Sequence, residues 1–266
     1  MKYLFLIVFP LTVWAQILPA VKNKCVVIAH RGDHTHAPEN TLKAIREAID
    51  VGADYVEIDL RSTRDGELIL MHDETVDRMT NLKGKVKDIA WSSLRKAQVS
   101  DKNNTDFGTY AIPTFSEALS LCKGKIHIYL DFKDADVRTA WEMIKSAGME
   151  KSFVVYINSE LQYKSWRSMA PGVPLMVSLP DSVNNENQLR AFTKKVDAEI
   201  LDGSHTDYTS AMVDEARLQN RAVWVDVQSE NESATTWRAA LDLRLQGLQT
   251  DHPKELIEFL VSQGLR

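Results

Sequence analysis

Reactive chemistry in this chain can be built around His30 and His72, because an unperturbed imidazole titrates near about pH 6.5 and can give or take a proton near neutrality. Glu57 and Asp59 lie between them, and Asp131 and Lys133 follow further along. Three carboxylates aimed at one volume repel one another and lose hydration, a cost of several kcal/mol for each unpaired buried ion. A divalent cation removes that cost, and an all-oxygen donor set favours a hard ion, Mg2+ or Ca2+, over zinc. Arg31 and Lys133 can neutralise an anion held beside such an ion. Any one of these carboxylates could equally be a structural partner of Arg31 or Lys133. Three at matching strand ends beside two histidines mark a functional cluster.

The elements that would carry these residues alternate along the chain. Short β-rich runs occur at Val26–His30, Ala53–Leu60, Ile126–Lys133, Ser152–Ile157, Pro174–Leu179, Glu199–Asp202, Ala222–Val227 and Gly247–Asp251. Amphipathic helical patterns such as Thr41–Val51, Thr114–Lys123, Val137–Ala147, Asn185–Lys195 and Ser210–Gln219 lie between most of them. Eight strand–helix units in 266 residues predict an α/β fold, a (β/α)8 TIM barrel. An open doubly wound sheet is the alternative, but no glycine-rich nucleotide fingerprint follows Val26–His30.

One run breaks the rhythm. Leu68–Asp73 follows the second strand too closely for a parallel crossover. Asp65-Gly66 is a dipeptide favoured in tight hairpins, so this run reads as an antiparallel return strand with His72 opposite Asp59. The polar stretch from Glu74 to Ile112 then reads as an inserted excursion over the barrel top, after the second barrel strand.

Strand alternation decides which side chains face inward. Val56, Ile58 and Leu60 share one face and must pack on helices, which turns Glu57 and Asp59 into the barrel. The same reasoning points His30, Asp131, Lys133, Trp224 and Asp226 inward. Each polar group falls at the C-terminal end of its strand, where TIM-barrel active sites are assembled.

Composition narrows the setting. The net charge of −5 supports no nucleic-acid partner and no attraction to an anionic membrane. Lys2 precedes an apolar run, Tyr3–Trp14, ending in Val13-Trp14-Ala15, the pattern of a secretory signal peptide over residues 1–15. That run is shorter than the roughly 20 residues a bilayer span needs, so stable membrane insertion is not expected. The expected location is therefore secreted or periplasmic, with the barrel occupying 24–266. Cys25 and Cys122 are expected to be buried free thiols.

The motif strings His30-Arg31-Gly32, Ala37-Pro38-Glu39-Asn40-Thr41, Glu57-Ile58-Asp59 and His72-Asp73 resemble the glycerophosphodiester phosphodiesterase family. Weaker echoes are Leu130–Lys133, Val223-Trp224-Val225 and Thr250-Asp251-His252-Pro253. The resemblance implies a TIM barrel with an insertion after the second strand. It also implies hydrolysis of a glycerophosphodiester, a small-molecule substrate, to glycerol 3-phosphate and an alcohol. By motif position, His30 and His72 would be the acid–base pair. Glu57, Asp59 and Asp131 would hold one divalent cation, Mg2+ or Ca2+. Arg31, Lys133 and Trp224 would bind substrate, Lys133 near the phosphate and Trp224 against the glycerol.

This sequence departs from the family pattern in three places. The third acidic ligand is usually Glu, and Asp131 is one methylene shorter. The loop after Gly32 reads Asp33-His34-Thr35-His36, richer in histidine than usual, and Tyr156-Ile157-Asn158 replaces an expected Ser-Phe motif. Two other readings stay open on sequence alone: a lysophospholipase D-like activity in the same site, and an exported protein that binds a phosphorylated ligand without turnover.

Overall fold

The computed structural model describes residues 18–100 and 105–266, so the expected signal segment 1–15 lies outside the described residues. Eight parallel strands form the barrel: β1 (Val26–Ala29), β2 (Tyr55–Ser62), β4 (His127–Phe132), β5 (Phe153–Ile157), β6 (Leu175–Ser178), β7 (Ile200–Asp202), β8 (Ala222–Asp226) and β9 (Gly247–Thr250). Their order is β1-β9-β8-β7-β6-β5-β4-β2, and the β1–β2 pairing closes the ring. β3 (Leu68–Leu70) pairs antiparallel on β2, as the short connection requires.

The five helical patterns become helices within a few residues of their predicted limits. Further helices at Glu160–Met169, Ala234–Asp242 and Pro253–Ser262 complete the outer ring. Side-chain caps set several starts. Thr41 accepts from the backbone of Ala44, and Thr114 and Glu117 form a reciprocal capping box. Among the described residues, no helix is long and apolar enough to cross a membrane.

Two apolar layers hold the barrel. Val56, Ile58, Leu60, Ile128, Leu130 and Phe132 belong to the layer packed beneath the helices. The inward faces of Ile28, Tyr55, Tyr129, Val154, Met176 and Ile200 fill the barrel below its mouth. Cys25 and Cys122 are buried free thiols in the outer layer, and burial pushes both up to about 12. The excursion is better organised than its polar composition suggests. Ile69, Met71, Val76, Met79, Val86, Leu94, Val99 and Ile112 form a small core of their own, and isolated bridges Thr80–Val99 and Val99–Tyr110 tie its loops together.

Two sequence expectations need correction. The hairpin register is one residue different from that of a two-residue Asp65-Gly66 turn: Leu60 pairs with Leu70, and the Met71 amide donates to the Asp59 carbonyl at 3.0 Å. The reason is a five-residue loop, Thr63–Glu67. The Thr63 hydroxyl donates to Asp65 at 2.7 Å and accepts from the Glu67 amide at 3.0 Å, while Gly66 supplies the positive φ of 86°. His72 therefore lies just past β3 and not directly across from Asp59.

The second correction concerns Trp224. It faces inward, as alternation requires, but in the lower layer. It is only 2% exposed and packs edge-on against Tyr55, with ring centroids 4.9 Å apart. It fills the barrel below the mouth, and the mouth position on β8 belongs to Asp226. Gly247, its neighbour on β9, leaves room for the indole: a Cβ there would stand 2.5 Å from Trp224 Cδ1.

Gly247→Ala should therefore overpack this layer and lower stability by roughly 1–3 kcal/mol, read as a fall in the denaturant midpoint. An unchanged midpoint would contradict this packing of Trp224.

Candidate active site

β2 and β4 build the acidic centre. Their parallel register sets Asp59 beside Asp131, with Glu57 one inward position below. Donor oxygens of the three lie within 4.8 Å of one another, so the shorter Asp131 still reaches the cluster. Glu57 and Asp59 are buried and Asp131 is partly so. Burial, and then repulsion from Asp59 and Asp131, push the Glu57 carboxyl well above its ordinary range. That is the electrostatic stress a divalent cation would relieve, and the oxygen donors fit a hard ion.

Polar neighbours clamp the same carboxylates. Asn40 donates to Asp59 Oδ2 at 2.7 Å and accepts from the Asp59 amide at 3.1 Å. Asn158 donates to Asp131 Oδ1 at 2.8 Å. Lys133 Nζ stands 3.1 Å from Asp59 Oδ1 and also contacts Asp131 Oδ2. A bound cation and this ammonium would thus compete for the same oxygens. The loop after β1 brings a second positive group. The Arg31 amide donates to Glu57 Oε2 at 2.8 Å, and its Nε lies 3.6 Å from Asp59 Oδ2. Arg31 and Asn40 both adopt left-handed backbone, with φ of 52° and 55°, and the Asn40 amide donates to the Arg31 carbonyl at 2.9 Å. Strained non-glycine residues of this kind persist when surrounding contacts over-determine them.

Each histidine rests on a carboxylate. His30 Nδ1 lies 2.7 Å from Asp251 Oδ1, and His34 Nε2 approaches the same oxygen at 3.0 Å. Burial opposes ionisation of Asp251, but the hydrogen bonds from these two rings hold it far below the usual carboxylate range. The ionised Asp251 therefore accepts, His30 Nδ1 donates, and Nε2 is the nitrogen left for chemistry. His72 Nδ1 lies 2.8 Å from Asp73 Oδ1. Arg78 grips Asp73 at 2.8 and 2.9 Å and bridges to Glu39, which also binds Arg31 at 3.1 Å. Hydrogen bonds from Arg78, followed by the His72 contact, hold Asp73 well below its ordinary value. One chain of charges thus runs from His72 through Asp73, Arg78 and Glu39 to Arg31.

His30, Arg31, Glu57, Asp59, His72 and Asp131 line a single cavity of about 210 Å3 at the C-terminal ends of the strands. Lys133 joins them through Asp59 and Asp131, whereas Trp224 lies below. Tyr129, Tyr156, Asp202, Asp226, Gln228 and Gln249 complete the cavity lining. Sequence reasoning turned Asp226 inward but passed over Asp202, although alternation on β7 marks it in the same way. Asp73 and Asp251 sat inside quoted motif strings without a role. Only the folded structure sets them against the histidines.

Asp202 accepts from Ser178 at 2.8 Å, yet burial and the nearby Asp226 push it up to about 8. Between about pH 4 and about pH 8 the native state keeps a proton that the unfolded chain has lost, so stability falls as pH rises through that window. Asp202→Asn should therefore gain melting temperature over the parent protein at about pH 8 and lose that advantage at about pH 4, as followed by thermal unfolding. Equal melting differences at both pH values would contradict the assignment.

Residues 30–255 match the glycerophosphoryl diester phosphodiesterase family. A glycerophosphodiester phosphodiesterase of Caldanaerobacter subterraneus subsp. tengcongensis is 44% identical over 102 residues, a match spanning 38% of this chain and 42% of that protein's length. YhdW of Bacillus subtilis is 26% identical over 245 residues, covering 90% of this chain and 97% of that one. A crystal structure of a glycerophosphodiester phosphodiesterase from Agrobacterium tumefaciens superposes with a TM-score of 0.77 at 22% identity, over 88% of this chain and 99% of that one. An Oleispira antarctica phosphodiesterase, solved with the product sn-glycerol-3-phosphate, gives 0.79 at 18% identity, over 89% and 96%. These two likenesses establish the shared barrel.

Proposed function

The chain belongs to the glycerophosphoryl diester phosphodiesterase family, and from that premise we propose that it hydrolyses a glycerophosphodiester to glycerol 3-phosphate and an alcohol. His30 and His72 serve as the acid–base pair, and Glu57, Asp59 and Asp131 hold one divalent cation, Mg2+ or Ca2+. The observation that carries this reading is the single cavity in which both histidines, each seated on its own carboxylate, meet the acidic trio and Arg31. The product bound in the Oleispira antarctica enzyme supports the same substrate class.

A phosphodiester carries a negative charge that repels nucleophiles, and its alkoxide is a poor leaving group. A hard cation, when bound at the trio, supplies charge neutralisation at the phosphoryl oxygens. Arg31 and Lys133 add positive charge from the protein itself. One imidazole protonates the departing oxygen, and the other takes a proton from water or from the glycerol hydroxyl. Asp251 and Asp73 hold each ring in one orientation by accepting from Nδ1, which leaves Nε2 for transfer.

The cavity wall consists of charged, amide, imidazole and phenol side chains. Such a wall favours a small polar diester over an acylated lysophospholipid. Export belongs to the same proposal and rests on the apolar segment Tyr3–Trp14.

Release of glycerol 3-phosphate from glycerophosphocholine in a coupled assay is the test, run beside a lysophospholipid. Turnover should vanish on chelation and return with Mg2+ or Ca2+, with the glycerophosphodiester preferred. His30→Ala and His72→Ala should each lower kcat/KM about 10²- to 10⁴-fold. Normal turnover in His30→Ala would overturn the acid–base assignment, and metal-independent absence of release would favour a binding protein.

A further inference from the structure

The histidine-rich loop after Gly32 is assigned no proton transfer above, yet one of its rings reaches the site through Asp251. His34 Nε2 and His30 Nδ1 converge on Asp251 Oδ1 at 3.0 and 2.7 Å, and donor atoms of the three residues lie within 4.8 Å of one another. The three come from different places in the fold: the end of β1, the loop behind it and the end of β9. All are partly exposed, so an ion could reach them from solvent. His36, two residues on, is exposed and lies outside this group.

The donor chemistry differs from that of the acidic trio. Two imidazole nitrogens and one carboxylate oxygen form a set that suits zinc, which binds such ligands at about 2.0–2.2 Å and completes a tetrahedron with water. The trio offers oxygen alone and suits Mg2+ or Ca2+. The two ring nitrogens already converge on one Asp251 oxygen, so a cation between them would meet three donors from three separate segments. The Glu232 carboxylate accepts from the Asp251 amide at 3.1 Å and steadies that ligand from behind.

We propose that His30, His34 and Asp251 form a zinc site, separate from the cation site at Glu57, Asp59 and Asp131, and that zinc there switches turnover off. The proton balance explains the inhibition. Zinc takes the Nδ1 lone pair of His30, and the proton displaced from Nδ1 re-enters on Nε2. His34 changes tautomer in the same way, its Nε2 proton moving to Nδ1. Coordinated at Nδ1 and protonated at Nε2, His30 can neither accept a proton nor reach the doubly protonated form that would give one. The inhibitory half of this inference rests on the catalytic role assigned to His30 above; the binding half does not.

The test uses the full chain saturated with Mg2+, so that the carboxylate site is filled, and titrates zinc by calorimetry and by turnover in parallel. The parent protein should take up one zinc per chain, with inhibition following the same midpoint. Loss of even an outer-shell partner costs about 10- to 100-fold in metal affinity, so His34→Ala should weaken zinc binding and zinc inhibition at least about tenfold, with inhibition read against that variant's own zinc-free turnover. His34→Gln, which keeps a polar side chain in the loop, should behave likewise, and His36→Ala should match the parent protein. Unchanged zinc affinity in both His34 variants, equal loss in His36→Ala, or zinc bound without inhibition would overturn the proposal. If no form of the protein turns over a glycerophosphodiester, the functional reading fails while calorimetry still decides the zinc site.

Discussion

Repulsion among Glu57, Asp59 and Asp131 is the constraint around which the mouth of the barrel is organised. Adjacent parallel strands in fixed register force two of the carboxylates side by side, and the inward period of β2 puts the third directly beneath. Glu57 and Asp59 are buried, so their charges are costly. The surrounding structure answers with positive and hydrogen-bonding groups: Lys133 against Asp59 and Asp131, Arg31 over Glu57 and Asp59, Asn40 bonded twice to Asp59, and Asn158 on Asp131. Even so, Glu57 resists ionisation. The protein maintains this stress in a cavity where an anionic substrate could also lie, and the arrangement makes chemical sense once a hard cation shares the charge.

The strained loop and the excursion follow from that centre. Left-handed backbone at Arg31 and Asn40 lets one short segment present an amide to Glu57 and a carboxamide to Asp59. The excursion supplies Arg78, whose guanidinium ties Asp73 to Glu39 and hence His72 to the Arg31 side of the cavity. The apolar cluster beneath the excursion is what holds Arg78 in reach, since Met79, its neighbour, is buried in that cluster. Packing remote from the acidic centre thus sets the orientation of the His72 ring.

Much of this was legible in the residue pattern because strand periodicity is a strict rule. Alternation alone turned Glu57, Asp59 and Asp131 inward and placed them at strand ends, and β-rich runs separated by amphipathic helices implied the closed barrel. What escaped is what periodicity does not encode. Depth along a strand distinguishes Trp224, in the lower apolar layer, from Asp226 at the mouth, and both satisfy the same alternation. The hairpin register depended on local hydrogen bonds of Thr63 and Asp65, which a turn dipeptide does not reveal. The partners of His30 and His34 came from the far end of the chain, at Asp251, a long-range pairing that no local pattern specifies.

The central claim is that a divalent cation relieves the stress carried by Glu57, and proton counting tests it most directly. Because burial and the neighbouring carboxylates favour the protonated form of Glu57, a cation that binds the trio shifts that group toward the carboxylate and releases protons. Calorimetric titration of Mg2+ or Ca2+ in buffers of different ionisation enthalpy measures that release. The expected result is net proton release on binding in the parent protein, lost in Glu57→Gln. Cation binding with no proton released, or with the same release in Glu57→Gln, would contradict the account.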